Sequence, residues 1–205
     1  MPARAATAGR DGPRMRIVAG RFRGRALRAP PGRVTRPTAD RVRQALFDML
    51  MHAPWAGRDR VEGAQVIDGF AGTGGLGLEA LSRGAAGALF IESDRNALSA
   101  LRDNIAACGA QAMAQVRAWN MTRLPPRGAA AAADLVFLDP PYGRDLPAAA
   151  LATLERGGWI APGALVIVET AADEAPPIAP EHLLAQREHG AARLSVWRYE
   201  DGRAR

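Results

Sequence analysis

The chain has 205 residues, one cysteine and three histidines, with 27 basic side chains against 21 acidic ones and a formal net charge of +6. That length suits one ordinary domain, which buries roughly 70% of its unfolded surface and needs no disulfide or metal staple. The lone Cys108 excludes an intrachain disulfide and a cysteine-cluster zinc site, no apolar run reaches the ~18 residues of a membrane span, and the arginine- and alanine-rich start lacks the apolar stretch of a secretory signal.

These features read as a soluble, cytoplasmic protein without membrane or metal partners, and nothing in them argues against a monomer. Charge is gathered at one end. Residues 1–43 hold 12 arginines against Asp11 and Asp40, whereas residues 44–205 hold 15 arginines against 19 acids. One-ended positive charge points to a polyanion partner, nucleic acid before others.

Residues 1–14 have neither periodicity nor an apolar anchor and read as a disordered tail. Residues 15–35 read as a basic extension. Within it, 15–28 (MRIVAGRFRGRALR) form two short strands around Gly20–Gly24, a β-hairpin, before a turn at Pro30–Gly32. Residues 36–205 read as the main domain. Thr38 is placed as an N-cap with Asp40 in the first turn. Val42, Leu46, Met49 and Leu50 then recur at helical spacing over 39–51, with Arg41 and Arg43 off that stripe. His52–Gly63 reads as a loop.

From Ala64 strands and helices alternate. Strands are expected at 65–70, 87–92, 114–118, 134–138 and 164–169, and helices at 75–83, 95–107 and 146–156. The strands are apolar on both faces, as in a parallel sheet covered by helices. Residues 183–189 and 193–199, joined through Gly190, predict an antiparallel hairpin closing that sheet. The fold class is therefore α/β: Rossmann-like, mostly parallel, with a C-terminal antiparallel hairpin and a small basic β-hairpin in front.

Two segments carry chemistry. The first is Asp68 to Gly77 (DGFAGTGGLG), between a strand and a helix, where Gly72, Gly74 and Gly77 satisfy G-x-G-x-x-G. Such glycines permit a tight turn and close approach of a nucleoside cofactor, dinucleotide or otherwise. Asp68, four residues before Gly72, would repel a pyrophosphate but suits an α-amino group. Glu92, ending the next strand, can accept both ribose hydroxyls. S-adenosylmethionine, with a ribose, a cationic aminoacyl end and no phosphate, fits both acids better than NAD does.

The second segment is Asp139-Pro140-Pro141-Tyr142, after the strand 134–138 and so at the carboxyl edge of the sheet. The exocyclic amine of a nucleobase is a poor nucleophile because its lone pair is delocalised into the ring. Asp139 and the Pro140 carbonyl can accept hydrogen bonds from that amine and localise the lone pair toward a methyl donor. Two proline rings stiffen the loop, and Tyr142 offers a face for an extruded base to stack on.

With both segments in place, the chain resembles the class I S-adenosylmethionine-dependent methyltransferases that modify exocyclic amines. More narrowly, it resembles the RsmD family, the bacterial 16S rRNA (guanine-966-N2)-methyltransferases. The match is carried by Met15–Gly20, by Arg36–Phe47 (RPTADRVRQALF), by Asp68–Gly84, by Ile91–Arg95 and by Phe137–Tyr142. The resemblance implies S-adenosylmethionine as methyl donor and a guanine N2 of 16S rRNA as acceptor, within a small-subunit particle.

It carries catalytic positions onto Asp139, Pro140 and Tyr142, and cofactor positions onto Asp68, Phe70, Gly72, Gly74 and Glu92. Asn120 falls where methyltransferases place a group near the adenine. The chain departs from the pattern at Gly69, where a larger apolar residue is usual, at Thr73, and at Trp119 and Met121 beside Asn120. Arg16, Arg21, Arg23 and Arg25 are candidates for RNA phosphate contact. Arg36, Arg41 and Arg43 either join them or brace their helix against the sheet. Three other readings stay open: a DNA adenine- or cytosine-amino methyltransferase, a non-catalytic RNA-binding assembly factor, and an NAD-dependent oxidoreductase.

Overall fold

Strands apolar on both faces are stable only between two helical layers, and their alternation with helices builds that arrangement. The computed structural model describes residues 15–30, 37–143, 145–178 and 180–200. Strands β1 (Gln65–Gly69), β2 (Gly87–Ile91), β3 (Ala114–Arg117), β4 (Ala133–Leu138), β5 (Ile160–Ala171), β6 (Leu183–His189) and β7 (Ala192–Arg198) form one sheet in the order β3-β2-β1-β4-β5-β7-β6. The first five run parallel, and β7 lies antiparallel to both β5 and β6. β5 starts earlier than expected, because Ile160 already pairs with Ala133 ahead of an irregular register. The Pro162-Gly163 step within it looks like a turn in sequence.

Helices α1 (Pro37–His52), α2 (Gly75–Ser82), α3 (Arg95–Cys108) and α4 (Leu146–Arg156) follow the expected spans closely. The two sheet faces have separate cores. On one, Leu46, Phe47 and Leu50 of α1, Leu78 and Leu81 of α2, and Leu101 of α3 pack on Phe90 and Phe137. The Phe47 and Phe137 ring centres are 5.6 Å apart. On the other, Leu151 and Leu154 of α4 pack with Trp159 on Ile67, Val136 and Val168.

The basic segment at 15–28 differs from its expected form. It is an antiparallel loop pinched by one bridge, Arg16 with Ala26, around a turn of 3₁₀ helix at Gly20–Phe22, and it does not make two extended strands. The reason lies in where its amides go. Those of Val18 and Ala19 donate to the Glu79 carboxylate of α2, at 2.8 and 3.0 Å, instead of to a partner strand. Gly20 is required there: its φ is +78°, and a Cβ would sit 1.9 Å from the Ser82 carbonyl oxygen. Ile17 and Leu27 are buried in the same core as α1 and α2. Residues 1–14, Arg36 and most of the Pro30–Gly32 turn lie outside the described residues, as does the Thr38 side chain.

Candidate active site

The strand order reverses direction at β1, whose neighbours are β2 and β4. In open α/β sheets such a switch point leaves a crevice beyond the carboxyl ends of the strands. The register pairs Gly69 with Leu138, so the ends of the glycine turn and of the Asp-Pro-Pro-Tyr loop meet, and the Asp139 amide faces the Gly69 carbonyl at 3.5 Å. A cavity of about 480 Å³ opens here, lined by Asp68, Phe70, Gly72, Asp139, Tyr142 and Glu169 among others.

Asp68 is buried, 2% exposed. Its Oδ2 accepts the Gly77 amide at 2.8 Å. Burial pushes its carboxyl up to about 8; the Gly77 hydrogen bond opposes this, and the charges of Asp139 and Glu92 add to it. Phe70 lines the cavity with φ +59°, a left-handed conformation that is strained for a bulky residue and held by the turn around it. A Cβ on Gly72 would meet nothing nearer than the Phe70 carbonyl at 3.8 Å, so the backbone is open to a ligand there.

Gly74, expected at the cofactor, and Gly77, the last glycine of the motif, both serve close packing. A Cβ on Gly74 would lie 2.4 Å from Leu101, and one on Gly77 2.4 Å from the Phe90 ring. These glycines let α2 pack down on β2 and α3, and neither lines the cavity.

The other loop is clamped from β5. The Tyr142 hydroxyl donates to Glu169 at 2.5 Å, and the ring is 44% exposed. Desolvation, then this hydrogen bond and the nearby Glu169, Asp139 and Glu174 charges, push the phenol well above its usual range. The Gly143 amide donates to Glu174, which also accepts the Ala171 amide at 3.1 Å. Pro140 is buried beneath the loop, while Asp139 is exposed.

Glu92 and Asn120 are not among the cavity-lining residues. Glu92 accepts the amides of Gly72, Ser93 and Asp94 at 2.7–2.8 Å, which shapes the rim. Asn120 is exposed at the tip of β3 and accepts from the amide and hydroxyl of Thr122. The departures at Gly69 and Met121 explain each other. A Cβ on Gly69 would come within 3.0 Å of the Met121 sulfur, and Met121 is buried at 2% exposure. The thioether fills the space that a larger residue at 69 would take.

Arg16, Arg21, Arg23, Arg25 and Arg41 are exposed. Arg43 is a correction as a phosphate contact. It is 4% exposed, with Nε 3.4 Å from Glu79 and Nη2 2.9 Å from Asp40, and it also donates to the Arg16 carbonyl. Its guanidinium braces α1 against α2 and the N-terminal segment.

Sequence reasoning missed four polar residues: Glu79, Ser82, Asn104 and Glu169. Asn104 accepts the Arg28 amide at 2.7 Å and donates to the Arg28 and Thr73 carbonyls at 3.0 and 2.9 Å, tying the basic segment to the glycine turn. A signal for Glu79 existed: it is the one acid inside the apolar run of α2 (GLGLEALS).

A family model described as Conserved hypothetical protein 95 matches residues 15–200. The chain is 39% identical over 186 residues to ribosomal RNA small subunit methyltransferase D of Escherichia coli strain K12, covering 91% of this chain and 89% of that protein. It is 34% identical over 189 residues to the protein of the same name from Haemophilus influenzae, covering 91% and 94%. The solved structure of yhhF from Escherichia coli superposes with a TM-score of 0.77 at 38% identity, covering 92% of this chain and 99% of that one.

Proposed function

The chain belongs to the RsmD family of ribosomal RNA small subunit methyltransferases, and from that premise we propose that it methylates the exocyclic N2 of a guanine in 16S rRNA, guanine-966 by family likeness. The donor is S-adenosylmethionine, which supplies an activated methyl group on a sulfonium. The observation that carries this reading is the meeting of Asp139-Pro140-Pro141-Tyr142 with the glycine turn in one cavity.

The residues present fit that cofactor. Three acids, Asp68, Glu92 and Asp139, gather at the turn, and the charges of the other two add to the burial that raises the Asp68 carboxyl. Such a site gains from a cationic ligand without phosphates, which also disfavours the NAD reading. Asp68 takes the ammonium end and Gly72 gives close backbone approach. Glu92 takes the ribose hydroxyls, its carboxylate oxygens having lone pairs beyond the three amides they accept. Asn120, at the tip of β3, serves the adenine end.

Toward the acceptor, the target base leaves its stack and rests on the exposed Tyr142 ring. Asp139 and the Pro140 carbonyl accept from its amine and hold the lone pair in line. Positioning supplies most of the rate, since the methyl group arrives activated. The surplus proton passes to the Asp139 carboxylate or to water. The exposed arginines of the 15–28 segment, whose Met15 end reaches the cavity, contact phosphates of the RNA, which is presented within a small-subunit particle. The protein acts as a monomer.

The test is nucleoside mass spectrometry with primer extension on 16S rRNA from cells with and without the gene. One N2-methylguanosine should vanish and return with the wild-type gene but not with Asp139→Ala. The purified variant should lose about 10²-fold or more in turnover while still binding S-adenosylmethionine. Comparable loss of both would make Asp139 a structural residue, and unchanged rRNA would turn attention to DNA.

A further inference from the structure

The cavity holds a carboxylate that the proposed reaction does not use. Glu169, on β5, lines it together with Asp139 and Tyr142, and its Oε1 accepts the Tyr142 hydroxyl at 2.5 Å. The base-stacking ring thus sits beside two carboxylates, each an acceptor and neither a donor when ionised.

Nucleobases differ in what they show such a pair. Guanine presents two adjacent donors, the N1–H and the N2 amine. Adenine and cytosine present an amine next to a bare ring nitrogen, which is an acceptor. An acceptor facing a carboxylate in a partly desolvated site is repelled, and the missed hydrogen bond leaves a polar group unpaired.

We propose that Glu169 is a specificity-determining residue, its carboxylate accepting the N1–H of the target guanine while Asp139 accepts from the N2 amine. This rests on the guanine-N2 reading above. It also explains how one edge of the sheet would reject adenine and cytosine, whose amines Asp139 and Pro140 would otherwise accept equally well. Tyr142 links the two functions: its hydroxyl fixes the Glu169 carboxylate, and its ring fixes the plane of the base.

The test compares reconstituted small-subunit particles whose rRNA carries guanine or 2-aminopurine at the target. 2-Aminopurine keeps the 2-amine but has no hydrogen on N1. The wild-type protein should favour guanine in kcat/KM by roughly 10- to 150-fold, the range of one hydrogen bond to a charged group. Glu169→Gln should collapse most of that ratio, losing activity on guanine but not on 2-aminopurine, because an amide serves either edge. Tyr142→Phe keeps the carboxylate and should lower both substrates while leaving much of the preference. Unchanged S-adenosylmethionine affinity shows that each variant is folded.

Equal loss on both bases in Glu169→Gln would overturn the proposal and leave Glu169 as a support for Tyr142. So would a wild-type protein that does not distinguish the bases. A wild-type protein inactive on the guanine particle, with S-adenosylmethionine bound, would instead sink the guanine-N2 reading beneath it.

Discussion

Two carboxylates are buried around the same short helix, and the molecule treats them in opposite ways. Glu79, on α2, is fully buried and meets two arginines, Arg43 at 3.4 Å and Arg83 at 2.9 Å, besides the amides of Val18 and Ala19. Asp68, at the end of β1, accepts one amide, and the charges it feels are those of Asp139 and Glu92. The first charge is neutralised from within and holds the N-terminal segment, α1 and α2 together. Arg43 lines the same cavity, but its guanidinium is engaged by Glu79, Asp40 and the Arg16 carbonyl, which leaves Asp68 facing like charges. An arginine already committed to other acids leaves room for a cationic ligand.

The largest expected effect tests the first half of this comparison. Glu79→Ala takes a carboxylate from the buried guanidinium groups of Arg43 and Arg83 and the acceptor from the Val18 and Ala19 amides, so it should cost about 3–5 kcal/mol, on the order of a 10 °C drop in Tm for a domain of this size. Denaturant unfolding measures it, and a loss no larger than that of an exposed acid would mean that the buried pairs cancel against their desolvation.

Next comes Asp68→Asn, which should do the reverse. S-Adenosylmethionine affinity, read by calorimetry, should fall by roughly 10- to 150-fold with the loss of one charge-assisted hydrogen bond, while the fold holds. Destabilisation as severe as that of Glu79→Ala would erase the distinction between the two acids.

The pH dependence sharpens the same contrast. With the Asp68 carboxyl at about 8 in the fold and near 3.8 when unfolded, the unfolded chain binds fewer protons between those values. Stability from this group is therefore fully present below the lower value and is lost as pH rises toward about 8. Asp68→Asn should gain on the wild type between pH 5 and pH 8 in parallel melts. A constant difference across that range would show that Asp68 is ionised in the free protein.

The smallest effect concerns the surface. Arg21→Ala with Arg23→Ala should leave stability unchanged and reduce the salt slope of RNA binding by about two. An unchanged slope would remove this segment from the RNA interface.

Much of this was legible beforehand, for definable reasons. Alternating spans of apolar strands and amphipathic helices are written in short-range periodicity, so α4 over Leu146–Arg156 and β6 over Leu183–His189 fall where expected. The glycine turn and the Asp-Pro-Pro-Tyr loop could be placed on one sheet edge because each follows a strand. The basic segment keeps the antiparallel pairing its alternation predicts, with the Ile17 and Leu27 amides donating to the Arg25 and Met15 carbonyls, but the pairing stays short because the acceptor that takes its Val18 and Ala19 amides lies on another element. For Arg43 the spacing leaves phosphate contact and bracing both open, because a helical stripe does not name a partner; Glu79 on α2 decides for bracing.

What the sequence by itself determined was the order of strands and helices, the two ligand-facing turns and the class of chemistry between them. These rest on residues within a few positions of one another, where spacing alone constrains the backbone. Only the tertiary structure decided which acids are partnered and which face the cavity. Glu79 is sealed by Val18 and Arg43, 61 and 36 residues away, and Tyr142 is fixed by Glu169, 27 residues on. A side chain's charge is local, but what neutralises it is set by the packing of distant elements.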